Sequence, residues 1–332
     1  MAALPRLVRA ALACFAALLL APPAIADREL RIGTLAPKKS PWGKVFQVWQ
    51  DAVAEQTEGA LTLTFYWNGS QGDDLAMVDK IKAGAQLDGA AVSALGLARI
   101  WKPILALQIP GLFRTQAALD KARDAMRPEI DAAFSAADFV LAGGGDVGVS
   151  HTMSKGFAVR VPEDLRGHHP VVWNEDVIGP ALFRIIGGVT PVPMTVPAVL
   201  PALRNGSVDV VAAPAIAASQ LQWASQLDHV VENASGITMG GLVLKKSALD
   251  ALPADHRKVL EETGRVTAVA LRERVRKADE AAFADMLRKM TVVTLTEAEQ
   301  AKWADVLTKT VQELGRGTFD PELLKRLVAM KG

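Results

Sequence analysis

An α/β architecture, with strands of a largely parallel sheet joined by helical crossovers, follows from two stretches of this 332-residue sequence. Glu29 to Ser93 and Asp164 to Pro214 each interleave short strand-like apolar runs with helix-patterned segments, and most junctions carry a turn or capping signal. A third feature is the region from Ala254 onward, where recurrent Lys, Arg and Glu around apolar residues read as helices with a solvated face.

In chain order, Glu29 to Thr34 alternates as a first strand and leads into a Pro-rich loop ending at Trp42. Ser40 caps the next helix with Pro41 at its first position, and the pattern carries that helix to about Thr57, with Val45, Trp49, Ala52 and Val53 on one face. Leu61 to Trp67 is an alternating strand that stops at Asn68-Gly69. Asp73 and Asp74 open a helix over Leu75 to Ala83, Gly84 closes it, and Gly89 to Ser93 is again a strand. Val140 to Ala142 begins a strand that gives way to Gly143-Gly144-Gly145-Asp146, a run expected to be a flexible connection. No Gly-x-Gly-x-x-Gly and no Lys-Ser/Thr follow it, which argues against a phosphate cradle.

The second stretch opens with the Asp164-Leu165-Arg166-Gly167 turn and the strand Pro170 to Trp173. Asn174 or Asp176 caps a helix that Gly187-Gly188 ends. Thr190-Pro191-Val192-Pro193-Met194 has prolines that suit an edge or a cleft-lining segment. A helix around Val196 to Arg204 closes at Asn205-Gly206, and Val208 to Pro214 is a buried strand. Ala268 to Met290 is the longest uninterrupted helical pattern; Thr291 to Leu295 is a short strand, Thr296 starts one further helix and Phe319-Asp320-Pro321 leads the last.

Residues 1–26 have the form of a secretory leader: Arg6 and Arg9, an apolar core from Ala10 to Ala21, and Ala24-Ile25-Ala26 before cleavage at Asp27. The lone Cys14 leaves with it, so the mature chain has no thiol chemistry and a periplasmic location is expected. A lipoprotein reading of Cys14 meets Ala11 where Leu is usual, and the apolar run continues past it. Loss of the two arginines leaves 35 basic against 36 acidic residues, a balance that points to no nucleic acid and no anionic membrane surface.

The order Asp-Leu-Arg-Gly, strand, Gly187-Gly188, Pro191-Val192-Pro193-Met194 and Leu203-Arg204-Asn205-Gly206-Ser207-Val208-Asp209 resembles the substrate-binding proteins of tripartite ATP-independent periplasmic (TRAP) transporters, the DctP-like family. Ser40-Pro41-Trp42, Asn68-Gly69, the acidic pair Asp73-Asp74 and Ile109-Pro110-Gly111-Leu112-Phe113 extend the resemblance over essentially the whole mature chain. It is strongest in 29–113 and 160–214 and weaker from Leu249. The resemblance implies a periplasmic-binding-protein fold of class II type, with two α/β lobes around a hinge and cleft and a long C-terminal helix bracing both. Lobe I is expected over 27–150 plus about 240–290, and lobe II over 151–239 plus about 291–332, with crossings at the glycine run and near Gly236 to Leu244. It also implies a binding protein with no cofactor, one that closes on a ligand and hands it to TRAP permease subunits or another lipid-handling membrane system.

No enzyme or metal centre emerges from the residues themselves. His168 and His169 are adjacent and point to opposite faces of a strand, no His-x-x-x-His occurs, and Ser150-His151 near Asp146 lacks a nucleophile elbow, leaving a periplasmic hydrolase as a remote alternative. Binding is the reading that remains. With seven Trp against one Tyr, several Trp fall at strand ends and turns where a cleft lies: Trp42, Trp67, Trp173 and Trp223. Asn68, Ser93 and Asn174 stand at the same strand ends, whereas Trp49 and Trp303 lie on helical apolar faces.

In relatives that bind organic acids, an Arg on the strand after Asp-Leu-Lys-Gly grips the carboxylate, assisted by an Asn just before the Pro that ends the Val-Asp strand. Counted residue by residue, these positions are Val171 and Ala213 here. With Met194 they predict an apolar cleft floor and an apolar or amphiphilic ligand: lipid-like, sterol-like or aromatic. The alternative is a small organic acid with a displaced cationic anchor drawn from Lys38, Lys39 or Arg99.

Overall fold

The computed structural model describes residues 28–330 apart from Arg114; the leader expected over 1–26 lies outside the described residues. Its first half comprises β1 (Arg28–Thr34), α1 (Pro41–Gln56), β2 (Leu61–Tyr66), α2 (Asp74–Lys82), β3 (Gly89–Ser93), α3 (Ala94–Ile100), a 3₁₀ segment (Lys102–Gln108), α4 (Gln116–Ala136) and β4 (Phe139–Ser154). Then come β5 (Val171–Trp173), α5 (Ile178–Ile186), β6 (Val192–Met194), α6 (Val199–Asn205), β7 (Val210–Pro214), α7 (Ala215–Gln220), β8 (His229–Val231) and β9 (Gly236–Lys245). The chain finishes with α8 (Lys246–Asp250), α9 (Ala254–Lys289), β10 (Thr291–Val293), α10 (Glu297–Leu314) and α11 (Pro321–Ala329).

Local capping chemistry places the helices where the sequence puts them. Ser40 Oγ accepts from Gly43 N at 3.2 Å, Asp73 Oδ1 from Ala76 N at 2.9 Å, and Thr296 and Glu299 form a capping box. Asp176 caps α5 by accepting from Ile178 N and Gly179 N at 2.8 and 3.0 Å.

One eight-stranded sheet runs β10-β8-β4-β9-β3-β1-β2, with β7 paired to β4 off that path. β1 is parallel to β2 and β3, as the alternating strand–helix pattern requires, and β8 is parallel to β10. β4 and β9, however, pair antiparallel along almost their whole length and join the two halves, so the sheet is mixed rather than parallel. β5 and β6 form a separate parallel pair, tied on through a single bridge between Pro170 and Val210.

The glycine run is therefore not a flexible connection. Gly143, Gly144 and Gly145 lie inside β4, paired with Leu242, Gly241 and Gly240, and the ladder shifts register at Leu141/Gly143 and at Asp146/Gly148. Glycine is required for two reasons here. A Cβ on Gly143 would stand 2.7 Å from the Cβ of Ala268 on α9, and Gly148 sits at φ +141°, where a Cβ would meet the Asp279 carboxyl at 2.7 Å.

The 36-residue helix α9, about 54 Å long at 1.5 Å per residue, braces both halves. Near its start Thr263 Oγ1 accepts from Trp49 Nε1 at 3.0 Å. Farther along, Asp279 accepts from Val149 N at 2.7 Å and Ile216 N at 2.9 Å, and Phe283 stacks on His151 with centroids 3.7 Å apart. Apolar clusters flank this spine: one joins α1, β1 and β2 to β9, and another gathers α6, β7, Trp223 and Met286 in the second half. Among the described residues no helix is long and apolar enough to cross a membrane.

Candidate functional site

The two halves flank a cavity of about 220 Å³ that opens to solvent. From the first half, β1 and its following loop, α1 and the end of β3 bring Thr34, Trp42, Phe46 and Ser93 to it. The bulged ladder of β4 and β9 forms the back, with Asp146, Val147 and Thr238; β7 and the turns of the second half contribute Ala213, Trp173 and Trp223. Trp173 and Trp223 face one another with centroids 6.0 Å apart at 31°. Most of this surface is apolar.

Of the ten residues expected at the site, Trp42, Ser93, Trp173, Ala213 and Trp223 line the cavity, while Trp67, Asn68, Val171, Asn174 and Met194 do not. Trp67 stacks on Phe65 at 5.1 Å and belongs to the cluster behind α1. Asn68 occupies a turn at φ 58°, with its N–H donating to Ala36 O at 3.2 Å, and the Asn174 N–H donates to Met194 O at 3.2 Å. Val171 and Met194, each 9% exposed, pack in the apolar cluster that also holds Ala213 and Trp223, so they back the wall rather than form a floor.

The cavity carries two carboxyls. Asp146 accepts from Arg123 Nη1 at 3.3 Å and from Arg276 Nε, while Arg276 Nη2 also reaches both oxygens of Asp120 at 2.9 Å. From the sequence Asp74 reads only as a helix opener, a role that its neighbour Asp73 fills. Its own side chain, 5% exposed, turns to Ser93, accepting from Ser93 N at 3.2 Å and from Ser93 Oγ–H. Burial pushes its pKa up to about 6; the two Ser93 bonds oppose that rise and the charge of Asp73 adds to it.

Neither Lys38, Lys39 nor Arg99 lines the cavity. Both lysines are exposed on the loop before α1. Arg99 is held by Asp79 at 2.9 Å and, across the two halves, by Glu175 at 3.2 Å. Among the described residues no Lys or Arg lines the cavity at all.

The hydrolase alternative loses its geometry. Ser150 and His151 lie on β4 rather than in a loop; Ser150 Oγ hydrogen-bonds Thr238 Oγ1 at 2.7 Å, and His151 Nδ1 meets Val231 O at 3.1 Å. Asp146 is engaged by arginines. The three residues make no relay, and among the described residues no group of His, Cys, Asp or Glu is arranged to hold a metal ion.

Comparison with known proteins places this architecture. A solute-binding protein of Sulfitobacter sp. strain NAS-14.1 is 23% identical over 307 residues, covering 91% of each chain. A TRAP periplasmic solute-binding protein from Shewanella oneidensis, solved with bound succinate, superposes at TM-score 0.85 and 19% identity over 92% of this chain and 100% of that one. The sugar acid binding protein of Advenella mimigardefordensis strain DPN7T, solved with galactonate, gives TM-score 0.85 at 17% identity over 92% and 98%. These likenesses bear out the two-lobe α/β binding-protein fold. The model of the bacterial extracellular solute-binding protein family 7 (DctP) matches residues 32–317, and the chain belongs to that family.

Proposed function

We propose that this solute-binding protein captures an apolar or amphiphilic ligand in its interlobe cavity, in the periplasm, and delivers it to TRAP membrane subunits. Hinge closure between the expected lobes, 27–150 with about 240–290 and 151–239 with about 291–332, is the mechanism: the ligand favours the closed state, and the partner recognises it. The observation that carries the ligand class is the absence of any Lys or Arg among the described lining residues. A carboxylate closed into that surface would be a buried charge without a counter-ion, at a cost of several kcal/mol. Val171 and Ala213, counted by resemblance onto the Arg and Asn of acid-binding relatives, agree with this reading.

The relatives' own ligands favour the second reading. Succinate and galactonate are carboxylates, and they support the organic-acid alternative better than the apolar one. Thermal shift separates the two: the ligand-free mature protein is melted with succinate, with galactonate and with a panel of neutral aromatic and terpenoid compounds. The apolar reading expects a rise only with members of the panel. A rise with either acid returns the protein to the acid-binding group.

A further inference from the structure

We propose that Asp74 is the polar anchor of the cavity and that the ligand which answers it is an amine, an apolar body carrying a protonated nitrogen. This rests on the reading of the cavity as one for a mostly apolar ligand and names the polar end of that ligand.

Two carboxyls in one cavity are treated unequally. Asp146 is neutralised by Arg123 and Arg276, whereas the partners of Asp74 are the Ser93 N–H and O–H. An ionised carboxylate offers about four lone-pair sites, so the two Ser93 bonds leave it room for a further donor. Asp73, whose charge adds to the rise in the Asp74 pKa, caps the same helix, while the other cavity carboxyl, Asp146, sits in a cluster with Asp120, Arg123, Arg276 and, 4.0 Å from Asp120, Arg272. Among the described residues no Lys or Arg pairs with Asp74, which is the cavity carboxyl left without a cation.

The rest of the wall suits a cation. Trp42, Phe46, Trp173 and Trp223 all line the cavity, and aromatic faces attract a desolvated cation placed over them. A protonated amine gains both the charge-assisted hydrogen bond to Asp74 and these ring contacts, while its apolar body takes the remaining surface. A carboxylate entering the same space would meet Asp74 as a like charge.

Titration gives the inference a sign. The amine needs ionised Asp74, whose pKa in the empty cavity stands at about 6. Amine affinity consequently rises with pH through that value and levels off above it. A carboxylic acid would behave the opposite way.

Calorimetric titration of the ligand-free mature protein with phenylpropylamine, phenylpropanol and phenylpropanoate tests this. At about pH 8, where Asp74 is ionised, the amine is expected to bind about tenfold more tightly than the alcohol, a ratio within reach of a desolvated cation–π contact plus a charge-assisted hydrogen bond. The margin shrinks towards about pH 5, and Asp74→Asn abolishes it at every pH. A purely structural Asp74 would move all three probes together. Equal binding of amine and alcohol at both pH values overturns the amine inference but leaves the apolar reading standing, and tightest binding of phenylpropanoate overturns both. Binding of none of the three overturns the amine inference. If Asp74→Asn fails to fold, the pH dependence of amine against alcohol in the unaltered protein decides the same question.

Discussion

The back of the cavity and its Asp74 side treat a buried carboxyl in opposite ways. At the back, Asp146 has a fully buried side chain held by Arg123 from α4 and Arg276 from α9, with Asp120 sharing Arg276. On the other side, Asp74 has a serine for company. Arg123 and Arg276 are used to bind strand to helix through Asp146, and no described Lys or Arg lines the cavity. A cleft can thus sit beside a cluster of arginines and still be a poor home for a carboxylate.

The largest effect expected from disturbing this contrast comes at the back. Asp146→Ala leaves Arg123, whose side chain is 7% exposed, without its deeper partner, and denaturant unfolding is expected to show a loss of about 3–5 kcal/mol. A loss under about 1 kcal/mol would mean that the back wall is as loosely paired as the Asp74 side.

Moving the wall without touching its charges is a gentler perturbation. Gly148→Ala forces a Cβ onto the Asp279 carboxyl at a φ that side chains rarely adopt, and is expected to cost about 1–3 kcal/mol in the same measurement. Ligand affinity is expected to fall with it, since Asp279 also fixes the start of α7 behind the cavity.

How much of this is legible in the sequence depends on how local the deciding physics is. Helix starts are legible because Ser40, Asp73 and Thr296 satisfy the first backbone N–H groups within a turn of themselves. Gly143 to Gly145 mislead because glycine is a loop signal in isolation. What makes this run a strand is pairing with β9, about a hundred residues later, and the close approach of Ala268. Asp74 escapes notice for a related reason: a capping role explains an acidic pair locally, and only the fold turns the second member toward Ser93. Trp173 and Trp223, fifty residues apart, belong by sequence to cleft-facing strand ends and turns, and they do meet at the cavity. Trp67 and Val171 share that kind of position in the chain, yet Trp67 stacks on Phe65 and Val171 packs into the apolar cluster behind the wall.

Asp74 itself gives a subtler stability prediction. Its folded pKa, about 6, lies above the ordinary value of 3.8. Folding therefore favours the protonated form, and the stability this group contributes is present at low pH and is lost as pH rises through about 6. Asp74→Asn keeps an acceptor for Ser93 N and removes the ionisation. In paired melts of ligand-free protein from about pH 4 to about pH 8, the variant is expected to gain on the parent as pH rises. Parallel curves would show that Asp74 is not held in the desolvated state described above.

The smallest effect is expected at the rim. Glu175→Gln breaks the interlobe contact with Arg99, but both side chains are exposed and Arg99 keeps Asp79, so stability is expected to change by less than about 1 kcal/mol. Ligand release, followed by stopped flow, is the more sensitive readout. It is expected to accelerate modestly, and less so at high salt, where the pair is already screened.

That no Lys or Arg among the described residues faces the ligand is tested most directly by what the protein carries with it. Mature protein purified from the periplasm is to be split, one portion extracted into organic solvent and one into water, and both read by mass spectrometry. The account predicts a stoichiometric species in the organic portion, without a free carboxylate and with a basic nitrogen. A stoichiometric small carboxylate in the aqueous portion would contradict it.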